Sequence, residues 1–351
     1  MSTFPVARAA LLVGLAPGTG SDGPLMVVGD SLVFIGLLGL LGMLALRFAV
    51  IGPAWTSGGP RPPGSGDPAP WRGATEGPLQ AAARRWWRVW WGLVPIGAAG
   101  LVVTAIALLR ALDAGAADLG TLLTDTRWGV AWIVQAAGLV AAAILAAVLR
   151  SRPQDAFAPD PPRGWGLAIA AALAAAGIAV SWSAHASSGT DASLGVGIDA
   201  IHLISSGLWL GGLVGLLTMV PRARRDLSEN DGLRLSAAIV VRFSGLAIAC
   251  VGVLVVTGVY RALAELRSFS DFVDTGYGQA LLVKLVIFCV LLVGGVYNRL
   301  VLHPRLERAA LGLRPDDGGA GERLRVSVTA EVLVAAVLIA VVAVLVSLPP
   351  P

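Results

Sequence analysis

Two side chains able to bind a metal ion lie one helical turn apart in a stretch that is otherwise apolar. Asp199 and His202 fall in IDAIHLISSGLWLGGLVGLL, from Ile198 to Leu217, which is long enough to cross a bilayer as a helix. At 100° per residue, the side that carries them also carries Ser205, Ser206 and Trp209, and the opposite side carries Gly207, Gly211 and Gly215. Because an ionisable group facing lipid is costly, the pair predicts a functional site facing the interior of a helix bundle.

A second histidine, His185, ends the preceding apolar segment and is joined to this helix by a short Gly- and Ser-rich loop. We therefore expect both imidazoles at one membrane face, where neutral imidazole suits a borderline metal such as copper. Asp199 is then either a ligand or a hydrogen-bond acceptor that fixes the tautomer of His202. Asp30, near the outer end of the first apolar segment, is expected at the same depth in the membrane. The structural alternative is that each histidine only satisfies a hydrogen bond.

The two cysteines, Cys250 and Cys289, lie inside apolar segments, which argues against a disulfide framework. At similar predicted depths, their thiolates would suit Cu(I) in transit, although buried free cysteines commonly act as small apolar residues. The third histidine, His303, precedes Pro304 at the other face. It is interpreted as an interfacial helix end rather than a metal ligand.

The elements that position these residues are transmembrane helices. Of the 351 residues, 56% are hydrophobic and only 14% are charged, which excludes an ordinary soluble domain. We predict an all-α, polytopic integral membrane bundle with eight spans. They are Val27–Val50, Val89–Leu112, Trp128–Leu149, Trp165–Ala184, Val196–Val220, Ala237–Leu263, Gly278–Leu302 and Val326–Leu348.

The arginines predict the orientation of these spans. Most lie in the loops after spans one, three, five and seven. On the other side of the membrane lie only Arg8, Arg110, Arg127, Arg261 and Arg267. Since basic residues favour cytoplasmic loops, both termini are predicted to be extracytoplasmic, which places Asp199, His202 and His185 at the outer face.

The chain divides into a predicted extracytoplasmic leader, residues 1–26, and a membrane domain, residues 27–351. The basic and aromatic cluster from Arg84 to Trp91 is interpreted as an anchor at the membrane interface, so no nucleic-acid partner is expected. No Gly-rich phosphate-binding loop followed by Lys and Ser or Thr is found. Coupling to ATP within this chain is therefore not expected, and because no sequence feature points to hydrolytic or phosphoryl-transfer chemistry, we do not expect an enzyme.

Four segments in order carry a family resemblance: DAIHLISSGLWLGGL, VVRFSGLAIACVGVLVVTGVY, TGYGQALLVKLVIFCVLLVGGVYNRLVLHPRL and SVTAEVLVAAVLIAVVAVLVSLPP. They resemble the copper resistance protein D (CopD) family of bacterial inner-membrane proteins, most strongly over residues 198–351. In this resemblance the SGLWLGG pattern corresponds to Ser206–Gly212, with His202 in the HL position ahead of it, and Lys284, Asn298 and Arg299 match the pattern of span seven.

The resemblance implies a multi-pass plasma (inner) membrane protein that moves copper ions from the periplasm into the cytoplasm. It also implies a CopC-like periplasmic copper-binding partner, which would here be either a separate protein or absent. Two other hypotheses stay open: an electron-transfer protein that binds one b-type haem through His185 and His202, and an assembly subunit for a copper enzyme.

Overall fold

Eight long apolar helices form a polytopic membrane bundle, as predicted. The computed structural model describes residues 23–57, 77–111, 119–158, 161–183, 192–224, 227–266, 268–313 and 319–348, and these contain no β-strand. Most of the predicted leader and His185 lie outside these ranges. Among the described residues, the first helix begins at Gly23.

Five of the spans are single helices. Spans two, three, four, six and eight comprise Gly77–Ala111, Arg127–Arg150, Arg163–Ser183, Glu229–Glu265 and Gly319–Ser347. Threonine or serine N-caps begin several of the helices: the Thr126 hydroxyl accepts a hydrogen bond from the Gly129 amide at 2.9 Å, and Ser228 and Thr275 make the same kind of cap on spans six and seven.

The other three spans contain a π-helical turn. Span one consists of the helices Gly23–Ala45 and Gly52–Ser57, joined by the π-helical turn Leu46–Ile51. Span five consists of the helices Ala192–Ser206 and Gly212–Ala223, joined by the turn Gly207–Gly211. Span seven consists of the helices Gly276–Tyr297 and His303–Ala310, joined by the turn Asn298–Leu302. Three short helices, Leu119–Asp125, Pro153–Ala156 and Asp271–Asp274, lie between spans. π-Helical turns are rare in proteins and are often found at functional sites.

Span one is the central helix of the bundle. It packs against spans two, four, five and eight, while span three packs on four, span six on five, and span seven on eight. In the most apolar 18-residue stretch of span one, 78% of the residues are buried within the protein, whereas in that of span seven only 11% are buried. Span seven therefore lies at the periphery, with most of its apolar surface available to lipid.

The tryptophans of span two differ from the prediction. Trp86, Trp87 and Trp90 are each no more than 2% exposed and pack in the protein core rather than facing lipid. The Trp86 indole donates a hydrogen bond to the Met43 carbonyl at 2.8 Å and stacks on Trp90, with ring centroids 5.0 Å apart. These aromatic side chains attach span two to the central span.

Candidate functional site

His202 is held by a hydroxyl group of the neighbouring span. Its Nδ1 lies 2.8 Å from Oγ1 of Thr257 on span six. The Thr257 hydroxyl donates its single proton to the Val253 carbonyl at 2.7 Å, so it accepts a hydrogen bond from Nδ1–H of His202. In the neutral ring this places the proton on Nδ1 and leaves the lone pair on Nε2 for another partner.

Asp199, one turn away, takes part in an ion-pair network. Its carboxylate lies 3.6 Å from Nε of Arg261 on span six, and Nη2 of Arg261 lies 3.0 Å from Glu265. Lys284 of span seven is close enough to interact electrostatically with Asp199 and Arg261. Two carboxylates and two cations thus compensate one another at the predicted outer ends of spans five, six and seven, which reduces the cost of placing them in the membrane.

Close packing against span one fixes the position of span five. Gly211 sits against the Leu38 carbonyl and Gly42 of span one, and Gly207 lies against Leu41. Small residues at a helix contact let two backbones approach closely. The predicted glycine side of span five therefore packs on the central span.

The candidate site lies on the opposite side of span five, which faces spans six and seven. Trp209 packs edge-on against Phe288 of span seven, with ring centroids 5.9 Å apart. His202 lies about 15 Å from the start of its helix at Ala192, at 1.5 Å per residue. The site is therefore two to three helical turns below the predicted outer end.

The remaining candidates have separate surroundings. Asp30 is partly buried on span one, next to Gly29, which contacts Thr104 of span two. Cys250 is buried in the core, whereas Cys289 is exposed on span seven. Among the described residues, no group of three His, Cys, Asp or Glu side chains is placed to hold a metal ion.

His303 lies far from this site. It begins the last helical segment of span seven, about 40 Å from Gly276 at 1.5 Å per residue. Its Nδ1 is 3.3 Å from Nη1 of Arg299, and the ring is 5% exposed. A haem held between two histidines at the outer end would therefore require His185, which is outside the described ranges, as the partner of His202.

Two residues of the site were missed by the sequence analysis. Thr257 holds the His202 ring, a role that the sequence analysis offered to Asp199, and Arg261 pairs with Asp199. Both lie on span six, at the four-residue spacing that puts side chains on one face of a helix. A search for polar residues on one face at the outer end of span six would have found them.

Comparison with known proteins gives a consistent family. Residues 237–345 match the model of the family described as Copper resistance protein D. The chain is 26% identical over 268 residues to Copper resistance protein D of Pseudomonas syringae pv. tomato, covering 71% of this chain and 80% of that protein. No solved structure gives a significant match.

Two other relatives align over only part of their length. Copper transport protein CutJ of Bacillus subtilis (strain 168) is 30% identical over 181 residues, which is 51% of this chain and 31% of CutJ. Inner membrane protein YebZ of Escherichia coli (strain K12) is 33% identical over 110 residues, 31% of this chain and 36% of YebZ. With its eight apolar spans, this chain is a multi-pass inner-membrane protein, and over residues 237–345 it is similar to the copper resistance protein D family.

Proposed function

We propose that the protein moves copper across the inner membrane, from the periplasm to the cytoplasm, through a site that includes Nε2 of His202. One observation carries this proposal: Nδ1 of His202 lies 2.8 Å from the Thr257 hydroxyl, which can accept a hydrogen bond from Nδ1–H because its own proton is donated to the Val253 carbonyl. A metal-binding histidine typically donates its other ring nitrogen to such an acceptor, which fixes the tautomer and the ring orientation. The names of two relatives, Copper resistance protein D and Copper transport protein CutJ, support copper as the substrate.

Asp199 and His185 are the proposed further ligands. The Asp199 carboxylate forms an ion pair with Arg261, whose positive charge compensates it when no metal ion is bound. A copper ion that enters would compete with Arg261 for this carboxylate, because both are cations that need a negatively charged partner. His185, which precedes span five in the sequence and lies outside the described ranges, would supply a second imidazole. The proposal does not require Asp30, Cys250 or Cys289.

The proposed direction, from the periplasm into the cytoplasm, is the one that the family resemblance implies, and the predicted orientation gives the side on which copper would enter. The loops richest in arginine are predicted to be cytoplasmic, so the outer ends of spans five and six face the periplasm. A separate CopC-like periplasmic protein would be the donor of copper to this end. We propose transport without chemical conversion of a substrate, so that the protein is not an enzyme.

Transport in reconstituted vesicles tests this function. The purified protein is placed in vesicles that contain a copper-sensitive dye, and copper is added outside. We expect wild type to admit copper faster than protein-free vesicles, and His202→Ala to reduce the rate to that background. His303→Ala, which removes the histidine at the other end of the bundle, is the matched control and should retain transport.

Two results would contradict the proposal in different ways. If wild type admits no more copper than protein-free vesicles, transport is wrong and an assembly role becomes the better hypothesis. If wild type transports copper and His202→Ala does so equally well, transport stands but the assigned site is wrong.

A further inference from the structure

A buried acid on span eight takes no part in the site described above. Glu331 is 6% exposed and lies about 18 Å along the helix that begins at Gly319. Its Oε1 accepts a hydrogen bond from Nδ2 of Asn298 on span seven at 2.5 Å. Ionisable residues within membrane spans are rare and commonly mark ion or proton pathways.

Span seven is shaped around this carboxyl group. A Cβ atom at Gly294 would lie 3.1 Å from Oε1 of Glu331, so the glycine leaves room for the acid. Asn298, one turn later, begins the π-helical turn of span seven. A larger residue at position 294 would crowd the carboxyl group, and the contact therefore depends on a small residue at this position.

The amide of Asn298 is suited to both protonation states of the acid. Its Nδ2 donates to the carboxylate, while its Oδ1 is buried with no hydrogen-bond partner in the described part of the chain. An amide carries both a donor and an acceptor, so after rotation of the amide it can accept a hydrogen bond from a protonated Glu331. The contact thus allows the acid to gain and lose a proton without losing its partner.

On spans seven and eight, the basic residues nearest in sequence to the Glu331–Asn298 contact have other partners. Arg299 is joined to His303 at 3.3 Å, and Arg325 is joined to Glu322 at 3.2 Å near the start of span eight. Neither arginine is placed by these contacts to neutralise Glu331. One neutral amide compensates a buried carboxylate only in part, and protonation removes the remaining cost.

Two other spans pack on span eight. Span one carries Arg47, which donates a hydrogen bond to the Ala158 carbonyl, and span five carries Arg222 near its predicted inner end. The acid of span one, Asp30, and the lysine of span seven, Lys284, lie toward the predicted outer end. The contact of Glu331 is therefore separate from the ion-pair network that surrounds Asp199.

We propose that Glu331, held by Asn298, is a proton-binding site that couples proton movement to copper movement. The inference rests on the proposed copper transport. A proton from water forms the O–H bond of the carboxylic acid, and this bond breaks when the carboxylate releases the proton to water as copper passes. No electron is transferred in this step.

The test measures copper and proton movement together. Vesicles that contain wild type, Glu331→Gln or Glu322→Gln carry one dye for copper and one for pH. We expect wild type to show a proton signal driven by copper addition, and Glu331→Gln to lose it while still binding copper at the outer site. Glutamine retains the acceptor for Asn298, so a purely structural contact would survive this change. Glu322→Gln, an exposed change on the same span, should behave as wild type.

Infrared difference spectra of the purified protein at high and low pH test protonation directly. We expect a protonated-carboxyl band in wild type that is missing from Glu331→Gln. Absence of such a Glu331 band would overturn the proton site. Copper transport without a proton signal in wild type, or an unchanged proton signal in Glu331→Gln, would overturn the coupling. Absence of copper transport in wild type would refute the proposed function and the coupling with it, while the infrared band still decides whether Glu331 binds a proton.

Discussion

Replacement of Thr257 by valine tests how the structure prepares His202 for a metal ion. Valine keeps the branched shape of threonine but removes the hydroxyl that lies 2.8 Å from Nδ1. The Nδ1–H group then lacks its acceptor, which costs about 1–3 kcal/mol for a buried donor. Removing the hydrogen-bond partner of a metal-binding histidine typically lowers metal affinity about 10- to 100-fold, which corresponds to about 1.4–2.8 kcal/mol. The first figure is a loss of folding stability, and the second is a loss of copper-binding free energy.

The assay is a copper titration of the purified protein against a chelator of known affinity. We expect Thr257→Val to bind copper about 10- to 100-fold more weakly than wild type. Thr257→Ser keeps the hydroxyl and should bind with nearly wild-type affinity. Size-exclusion profiles matching wild type would show that both variants are folded. If Thr257→Val binds copper as tightly as wild type while His202→Ala does not bind, the hydrogen bond does not prepare the ring and the reasoning is refuted.

Two further predictions concern the bundle itself. Gly211→Ala should lower the midpoint of thermal unfolding in detergent, because the new Cβ would lie 3.0 Å from Gly42 and closer still to the Leu38 carbonyl, and overpacking costs about 1–3 kcal/mol. Gly245→Ala, where the added Cβ meets no atom within 4 Å, is the control, and equal midpoints for the two variants would contradict the close helix contact. A carbene generated from a lipid-soluble diazirine reacts without a thiolate and should label Cys289, which is exposed on span seven, more than the buried Cys250. The reverse order would contradict the placement of spans six and seven.

The eight spans were predictable because each contains an apolar stretch long enough to cross a bilayer. The helices extend past several predicted ends: span two begins at Gly77 rather than Val89, and span seven continues to Ala310. Hydropathy marks only the part of a helix within the hydrocarbon core, whereas the backbone hydrogen bonds continue into polar residues beyond it. The polar extensions were therefore not visible in the apolar pattern.

The site was predictable in part. Asp199 and His202 stand out because they are polar residues within an apolar helix, and their shared side follows from the helical period. Their partners Thr257 and Arg261 are 55 and 62 positions away in sequence, so the contacts depend on how spans five and six pack. Periodicity within one helix carries no information about the register between two helices.

The buried tryptophans show the same limit. An Arg- and Trp-rich start of a span is typical of a membrane interface. In this protein, Trp86 instead reaches the Met43 carbonyl of the central span, and Trp87 lies under the Arg150 guanidinium at 5.8 Å. The sequence identified the residue types, but the neighbouring spans determined whether they faced lipid or protein.

The copper content of the purified protein tests the central claim most directly. Wild type, His202→Ala and His185→Ala are loaded with copper, freed of excess ion by gel filtration and analysed for bound metal. The account predicts that wild type retains copper and that each variant loses most of it, with His303→Ala behaving as wild type. Wild type without bound copper, or full retention by His202→Ala, would contradict the claim that this histidine binds the transported ion.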